Sequence, residues 1–388
     1  MKPTESTSSN APHPSSYIKG LEGVVAAKTA LSLVDGANSK LYYRGVSIDE
    51  LAEKSSFEET VYLLWYGKLP PENELKQFHK TLAANRRIPD ELLALIKKFP
   101  AKAHPMATLR TAVSMLSFYD KDPDDISLES LERKAVRLTA VLPTLVAALY
   151  RILSGKKGIA PDSKLSHAAN FLYMMHGEKP EPEVERALDA YLILLADHGL
   201  NASTFAARVT CATQSDMYSA MTSAIGTLKG GLHGNANEKA MEMILEIKTP
   251  ERADAYLNNL LAQKKKVMGF GHRIYKSQDP RAVAFRSMAK KLCEKTGNMK
   301  WMEISTRVEK MMWEKKQIPC NVDFFSASVL YILGFPLHFF TTVFAASRVA
   351  GWTAHVIEQL RDNRLIRPSA DYIGPVNQPY IPIEKRQP

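Results

Sequence analysis

Glu183-Val-Glu-Arg-Ala-Leu-Asp-Ala-Tyr-Leu-Ile-Leu-Leu-Ala-Asp-His198 is the stretch that decides the fold. Val184, Ala187, Leu188, Tyr191, Leu192 and Leu195 recur at the i, i+3, i+4, i+7 spacing of one buried helical face, and Pro180 and Pro182 mark its entry. Outward from it, helical periodicity fills the intervals between breakers such as Pro70-Pro71, Pro100, Pro105, Pro123 and Pro161. Only Val24 to Tyr43 reads otherwise. It is rich in Val, Leu, Thr and Tyr and is split by the turn signal Asp35-Gly-Ala-Asn38, which predicts a small β-hairpin. Ser47-Ile-Asp-Glu50 matches a capping box and predicts a helix start. The expected fold is all-α: a multi-helix large domain, a smaller inserted helical domain and a short N-terminal hairpin. Gly230-Gly231 and Gly334-Phe-Pro336 bracket the insert. The expected division is a tail at 1–17, a large domain at 18–228 and 330–388, and a small domain at 229–329.

Composition narrows the function classes. The 388 residues carry 51 Lys and Arg against 41 Asp and Glu, a formal net charge of +10. That excess favours acidic partners, including a small polyanion. No nucleic-acid-binding motif accompanies it, and nucleic acid is not expected. Cys211, Cys293 and Cys320 are far apart and form no metal-ligand spacing, so no metal is expected and a reducing, cytoplasmic setting is. Met1 to Ser16 is Ser-, Thr- and Pro-rich without an apolar core, which argues against an ordinary secretory signal and for a floppy tail. Leu138–Leu153 holds Pro143 and Arg151, and Ala327–Ala346 holds Pro336 and His338. Both read as buried helices, and no membrane span is expected.

Several short motifs place ionisable groups beside glycine or within apolar runs. His198 follows the helix above, next to Gly199, Asn201, Ser203 and Thr204. It is either a polar-pocket residue or a helix-terminal histidine that satisfies carbonyls. His233 lies in Gly230-Gly-Leu-His-Gly-Asn-Ala-Asn237, where glycines allow close ligand approach. A neutral imidazole at a helix N-terminus can donate to a carbonyl oxygen, and a surface turn is the plain alternative. Gly269-Phe-Gly-His272 follows Lys264-Lys265-Lys266. This single GxG lacks a preceding strand, so a dinucleotide fold is poorly supported. The loop suits adenine and phosphates, or is simply solvated. Arg281 follows Asp279-Pro280 near a helix start and is suited to bidentate carboxylate binding. Asp323 sits in Asn321-Val-Asp-Phe-Phe325. Desolvation there would raise its basicity, whereas an N-cap is the alternative. Arg348 occupies an apolar helix and needs a partner, with an ion pair to the downstream Glu358 or Asp362 as one option.

Taken in order, these motifs resemble the citrate synthase family. The resemblance rests on 197–208, 230–238, 267–281, 321–327 and 347–368, together with Gly20-Leu-Glu-Gly-Val-Val and Leu41-Tyr-Tyr-Arg-Gly45, and covers roughly residues 18 to 385. It implies an all-α homodimer whose small domain closes over substrate, and a condensation of acetyl-CoA with oxaloacetate and water. Asp323 would take the methyl proton, His233 would hydrogen-bond the thioester oxygen and His272 would polarise the ketone. His198, Arg281 and Arg348 would hold oxaloacetate, with Phe344 at the border of the pocket and Arg367 reaching in from the partner subunit. Val267, Gly269, Phe270 and Gly271 would cradle adenine, and Lys264, Lys266, Arg273 and Lys276 would meet the CoA phosphates. No cofactor is implied, CoA thioester being a co-substrate. The short N-terminus implies no added NADH-type regulatory site. The resemblance leaves open 2-methylcitrate synthase, which uses propionyl-CoA, and a binding protein of this fold without catalysis.

Overall fold

Apolar side chains in this chain come at helical intervals, and each helix they make must bury a face against others. A computed structural model describes residues 17–387. The expected tail, Met1 to Ser16, lies outside the described residues. Two compact units divide the chain: one comprises residues up to Lys28 together with those from Ile366 onward, the other Thr29–Leu365. Among its described residues the first has only the short 3-10 turns Lys19–Leu21 and Ile383–Lys385 as helical elements. Most of its described apolar side chains, among them Val25, Ile373 and Tyr380, are exposed, and Ile366 is half-buried.

The second unit is all-α apart from one small sheet. The expected hairpin is there, but it begins later and gains a strand. β1 (Ser32–Asp35), β2 (Lys40–Tyr43) and β3 (Val46–Ser47) form an antiparallel sheet in that order, with Ser32 opposite Tyr43 and Asp35 opposite Lys40. The third strand arises because Arg44 and Gly45 both take positive φ, which folds the chain straight back. Ser47 then caps the Ile48–Lys54 helix, accepting from the Asp49 amide.

Pro182–Leu195 is helical with proline in its first turn, as its periodicity predicts. It is buried on more than one face, because Ala190, Ile193 and Leu194 are covered as well as the expected stripe. The Phe340–Arg361 helix is buried almost continuously to Ile357 and packs against Leu128–Leu153, Ala202–Ala212 and Pro182–Leu195. Leu128–Leu153 is long and apolar enough to cross a membrane, yet 67% of its most apolar window is buried within the protein. Ala327–Ala346 is no continuous helix. It breaks between Val322–Ile332 and the following helical segment, which are bent by 119°. Within 229–329, the helices Ala236–Ile247, Pro280–Thr296, Met299–Lys316 and Val322–Ile332 pack on one another. Pro280–Thr296 also meets Ile48–Lys54 and Pro182–Leu195.

Candidate active site

The chain leaves the Pro182–Leu195 helix through Ala196-Asp-His, and Gly199 at φ +56° turns it away. Asn201 does not cap the end of that helix. It caps the next one, Ala202–Ala212, accepting from the Thr204 amide. The turn carrying His198 is held from both sides. Tyr43 donates its hydroxyl to the Asp197 carbonyl at 2.7 Å, and Ser32 Oγ donates to Asp197 Oδ2 at 2.6 Å while accepting from the Gly199 amide at 2.9 Å. His355 Nε2 lies 3.2 Å from Asp197 Oδ1. Burial alone would raise the Asp197 carboxyl, but His355, Arg348 and Ser32 together hold it below the usual carboxylate range. Burial, reinforced by Arg281, His272 and Arg348, pushes His198 well down, so it is a neutral ring.

His272 hangs from a glycine loop stitched to the start of the Val322–Ile332 helix. Gly271 donates to the Pro319 carbonyl and Asn321 to the Gly269 carbonyl, each at 2.9 Å, with Phe270 bridged to Cys320. Gly269 and Gly271 have φ near +80°, and a Cβ on Gly269 would stand 2.8 Å from Phe324 Cβ. His272 Nδ1 accepts from the amides of Ile274 and Tyr275 at 3.0 and 3.1 Å. Its ring proton is therefore on Nε2. The His272 ring lies 5.3 Å from that of His198, centroid to centroid, and Tyr275 OH is 3.3 Å from His198 Nε2. Burial and Arg281 push His272 down to about 4.

Asp323 is not the cap of its helix. Asn321 takes that role, accepting from the Asp323 amide at 3.0 Å, which leaves the Asp323 carboxyl unused by the backbone. Burial pushes it up to about 7, with Asp279 adding to the effect and Arg281 and Arg348 opposing it.

His233 sits in a tight turn three residues ahead of the Ala236–Ile247 helix. The Ser203 amide donates to its Nε2 at 3.3 Å, and Ser203 Oγ lies 2.8 Å from the same nitrogen. Trp352 Nε1 donates to that hydroxyl at 3.2 Å. With Nε2 accepting, the ring proton is on Nδ1. Burial, then Arg348, pushes His233 down to about 4.

The two buried arginines are anchored differently. Arg281 donates Nε and Nη2 to Asp279 at 3.0 and 2.8 Å. The same carboxylate caps the Arg281 helix and accepts from the Val322 amide at 3.1 Å. Arg348 does not form the ion pair considered from its downstream neighbours. Glu358 instead takes Arg208 at 2.8 Å and the Ala30 amide at 2.8 Å, because those groups reach it from other elements. Arg348 donates Nε to the Leu195 carbonyl at 2.6 Å and lies 4.7 Å from the Phe344 ring centroid. No protein group among the described residues bonds its two Nη atoms, and burial pushes it down to about 10. With Asp279 already pairing Arg281 and Asp197 held beside His198, the two guanidinium groups sit near the Asp323 carboxyl and three neutral imidazoles, an arrangement suited to a small dianion next to a base and two carbonyl donors.

Of the other expected residues, Val267 is buried, while Lys264, Lys266, Arg273 and Lys276 are exposed around the glycine loop. Arg367 is exposed and belongs to the other compact unit. Four contributors had no assigned role in the sequence: Ser203, Tyr275, Asp279 and Asn321. Asp279 before Pro280 carries a readable cap signal. Asn321 carries one too, but nothing in sequence points Ser203 at His233.

The match to known proteins runs the length of the chain. Residues 20–369 match the family model described as citrate synthase, C-terminal domain. Citrate synthase 2 of Bacillus subtilis is 48% identical over 95% of this chain and 99% of its own. 2-Methylcitrate synthase of Mycobacterium tuberculosis is 44% identical over 92% of this chain and 90% of its own. The structure of citrate synthase from Thermoplasma acidophilum in ternary complex with carboxymethyl coenzyme A and oxaloacetate superimposes with a TM-score of 0.89 at 37% identity, covering 95% of this chain and 99% of that one. With the ordered motifs and the geometry above, these matches show that the chain is an enzyme of the citrate synthase family.

Proposed function

We propose that the protein condenses acetyl-CoA with oxaloacetate and water to give citrate and CoA, as a cytoplasmic homodimer needing no cofactor. The observation that carries the reading is the meeting of Asp323, His233 and His272 with two buried guanidinium groups. Arg281 and Arg348 neutralise the oxaloacetate carboxylates, His198 aligns the ligand, and Arg367 is contributed by the partner subunit. Asp323 removes a proton from the methyl carbon next to the thioester. His233 Nδ1–H donates to the thioester oxygen as charge develops there. The enolate carbon attacks the oxaloacetate ketone, whose oxygen receives the hydrogen bond and then the proton of His272 Nε2, and the proton that Asp323 took from the methyl carbon replaces the one the histidine gives up. Water cleaves the resulting thioester and releases CoA. The segment 229–329 acts as the smaller domain, closing over substrate to exclude water until carbon–carbon bond formation is complete.

The pKa directions give this mechanism a definite pH profile. A base pushed up to about 7 is active only when ionised, so kcat/KM falls about tenfold per unit as pH drops below 7. Histidines pushed down to about 4 stay neutral donors throughout, and contribute no limb between pH 5 and 9. A rate that rises toward pH 5, or a bell centred on 6.5, contradicts both assignments.

Propionyl-CoA is the second reading, favoured by 44% identity to a 2-methylcitrate synthase beside 48% to a citrate synthase. One methylene is worth only about 1–3 kcal/mol in a pocket, so both substrates should turn over to some degree. Thiol release with oxaloacetate, compared for the two acyl-CoAs by kcat/KM, tests the reading. Faster acetyl-CoA turnover is expected. A propionyl-CoA preference assigns the second activity with the same mechanism, and no release from either removes the catalytic role.

A further inference from the structure

The small N-terminal sheet touches both halves of the candidate site. At its base, Ser32 of β1 bonds Asp197 and the Gly199 amide, the residues on either side of His198. Tyr43 of β2, opposite Ser32, bonds the Asp197 carbonyl and amide from the other strand. At its tip, the turn between the strands is stiffened by Asp35, which accepts from the Asn38 amide at 3.0 Å and the Asn38 side chain at 2.7 Å. That tip rests on the loop following His272. A Cβ on Gly36 would stand 2.6 Å from Ile274 Cγ2 and 2.7 Å from the Ile274 carbonyl oxygen, and Ser39 Oγ meets Ser277 Oγ at 2.8 Å. The closeness is of backbone to backbone, so glycine is required by approach rather than by φ. The Ile274 amide is one of the two donors that fix His272 Nδ1 as an acceptor. The next residue, Tyr275, supplies the other donor, and its hydroxyl reaches His198.

We propose that the β1–β2 hairpin is a positioning element shared by both histidines, holding the His198 turn through Ser32 at its base and the His272 loop through Gly36 at its tip. It contacts neither substrate nor reacting atom. In the arrangement described here it sets the separation of two rings that come from segments 74 residues apart in sequence. The proposal rests on the functional reading above. It also makes the two ends separable: the tip serves the group that acts on the ketone in the transition state, and the base serves a group that holds oxaloacetate in the ground state.

Gly36→Ala should push Ile274 away and lower kcat about tenfold to a hundredfold, while leaving the oxaloacetate Kd within about twofold. Ile274→Ala, which adds no volume and so keeps the fold, should act in the same direction and less. Ser32→Ala should do the opposite, raising the oxaloacetate Kd about tenfold with a smaller change in kcat. Nitrogen shifts of labelled His272 read the tip independently of turnover: the Nε2–H tautomer of the parent should become mixed in Gly36→Ala. The parent protein is assayed first. If it releases no thiol with any acyl-CoA, the functional reading fails while the histidine shifts still test the positioning. If the parent is active, parental kcat and shifts in both tip variants overturn the proposal. So does a parallel loss of kcat, oxaloacetate affinity and melting temperature at both ends.

Discussion

Asp323→Asn should lower kcat by between about 10² and 10⁴ while the affinity for oxaloacetate stays close to that of the parent. The amide keeps the shape of the carboxyl and cannot take a proton from carbon. Loss through unfolding is not expected, and the sign of the pKa shift says why. The folded Asp323 carboxyl is pushed up to about 7 from 3.8, so the folded state holds a proton that the unfolded chain has released. Its stabilising contribution is complete below 3.8 and is lost as pH rises through 7. At pH 8 the half-buried carboxylate is a net burden, and the asparagine variant should melt above the parent. The gap should close as pH falls toward 4. Near-parental turnover in this variant would remove Asp323 from the role of base. Low turnover with a lowered melting temperature at pH 8 would point instead to a structural carboxylate.

His272→Ala should cost about 10² to 10³ in kcat, roughly 3 kcal/mol, the scale for loss of one donor to a developing oxyanion. The tautomer sharpens this into a comparison. With Nδ1 tied to two backbone amides, Nε2 is the nitrogen left to donate, on the proposed reading to the ketone. The side-chain amide nitrogen of glutamine reaches about as far, and asparagine falls short. His272→Gln should therefore recover part of the lost rate and His272→Asn little. At His233 the order should reverse, because there Nε2 is the acceptor and the donor is Nδ1. Glutamine and asparagine performing alike at both positions would contradict the tautomers drawn from the backbone contacts.

Some of this was open to reading in the sequence, and the reasons differ by residue. The spacing of Ala187, Leu188, Tyr191 and Leu195 predicts a helix because period and burial are local properties. Gly269 and Gly271 mark a loop in sequence, but their positive φ and the close approach of Gly269 to Phe324 depend on the packing of that loop against another helix. The β3 strand escaped because two residues are too few for alternation, and its cause lies in the φ of Arg44 and Gly45. Asp323 stood open between base and cap until Asn321 took the cap, a choice the two residues' similar capping preferences do not decide. The partner of Arg348 is a carbonyl 153 residues away, and the partner of His233 a serine 30 residues away. Such contacts are set by packing between helices, which no local pattern encodes.

The placement of Arg281 and Arg348 beside Asp323 links protons to the organic anion. Both guanidinium groups draw the Asp323 pKa down against burial. On the proposed reading, an arriving dianion cancels that attraction and adds negative charge nearby. The carboxyl then becomes more basic as oxaloacetate binds, and the complex takes up a fraction of a proton from buffer at neutral pH. By reciprocity, acidifying the solution tightens the anion it has begun to protonate against. The base is thus strongest when its reaction partner is already in place, and a thioester arriving first meets a weaker one.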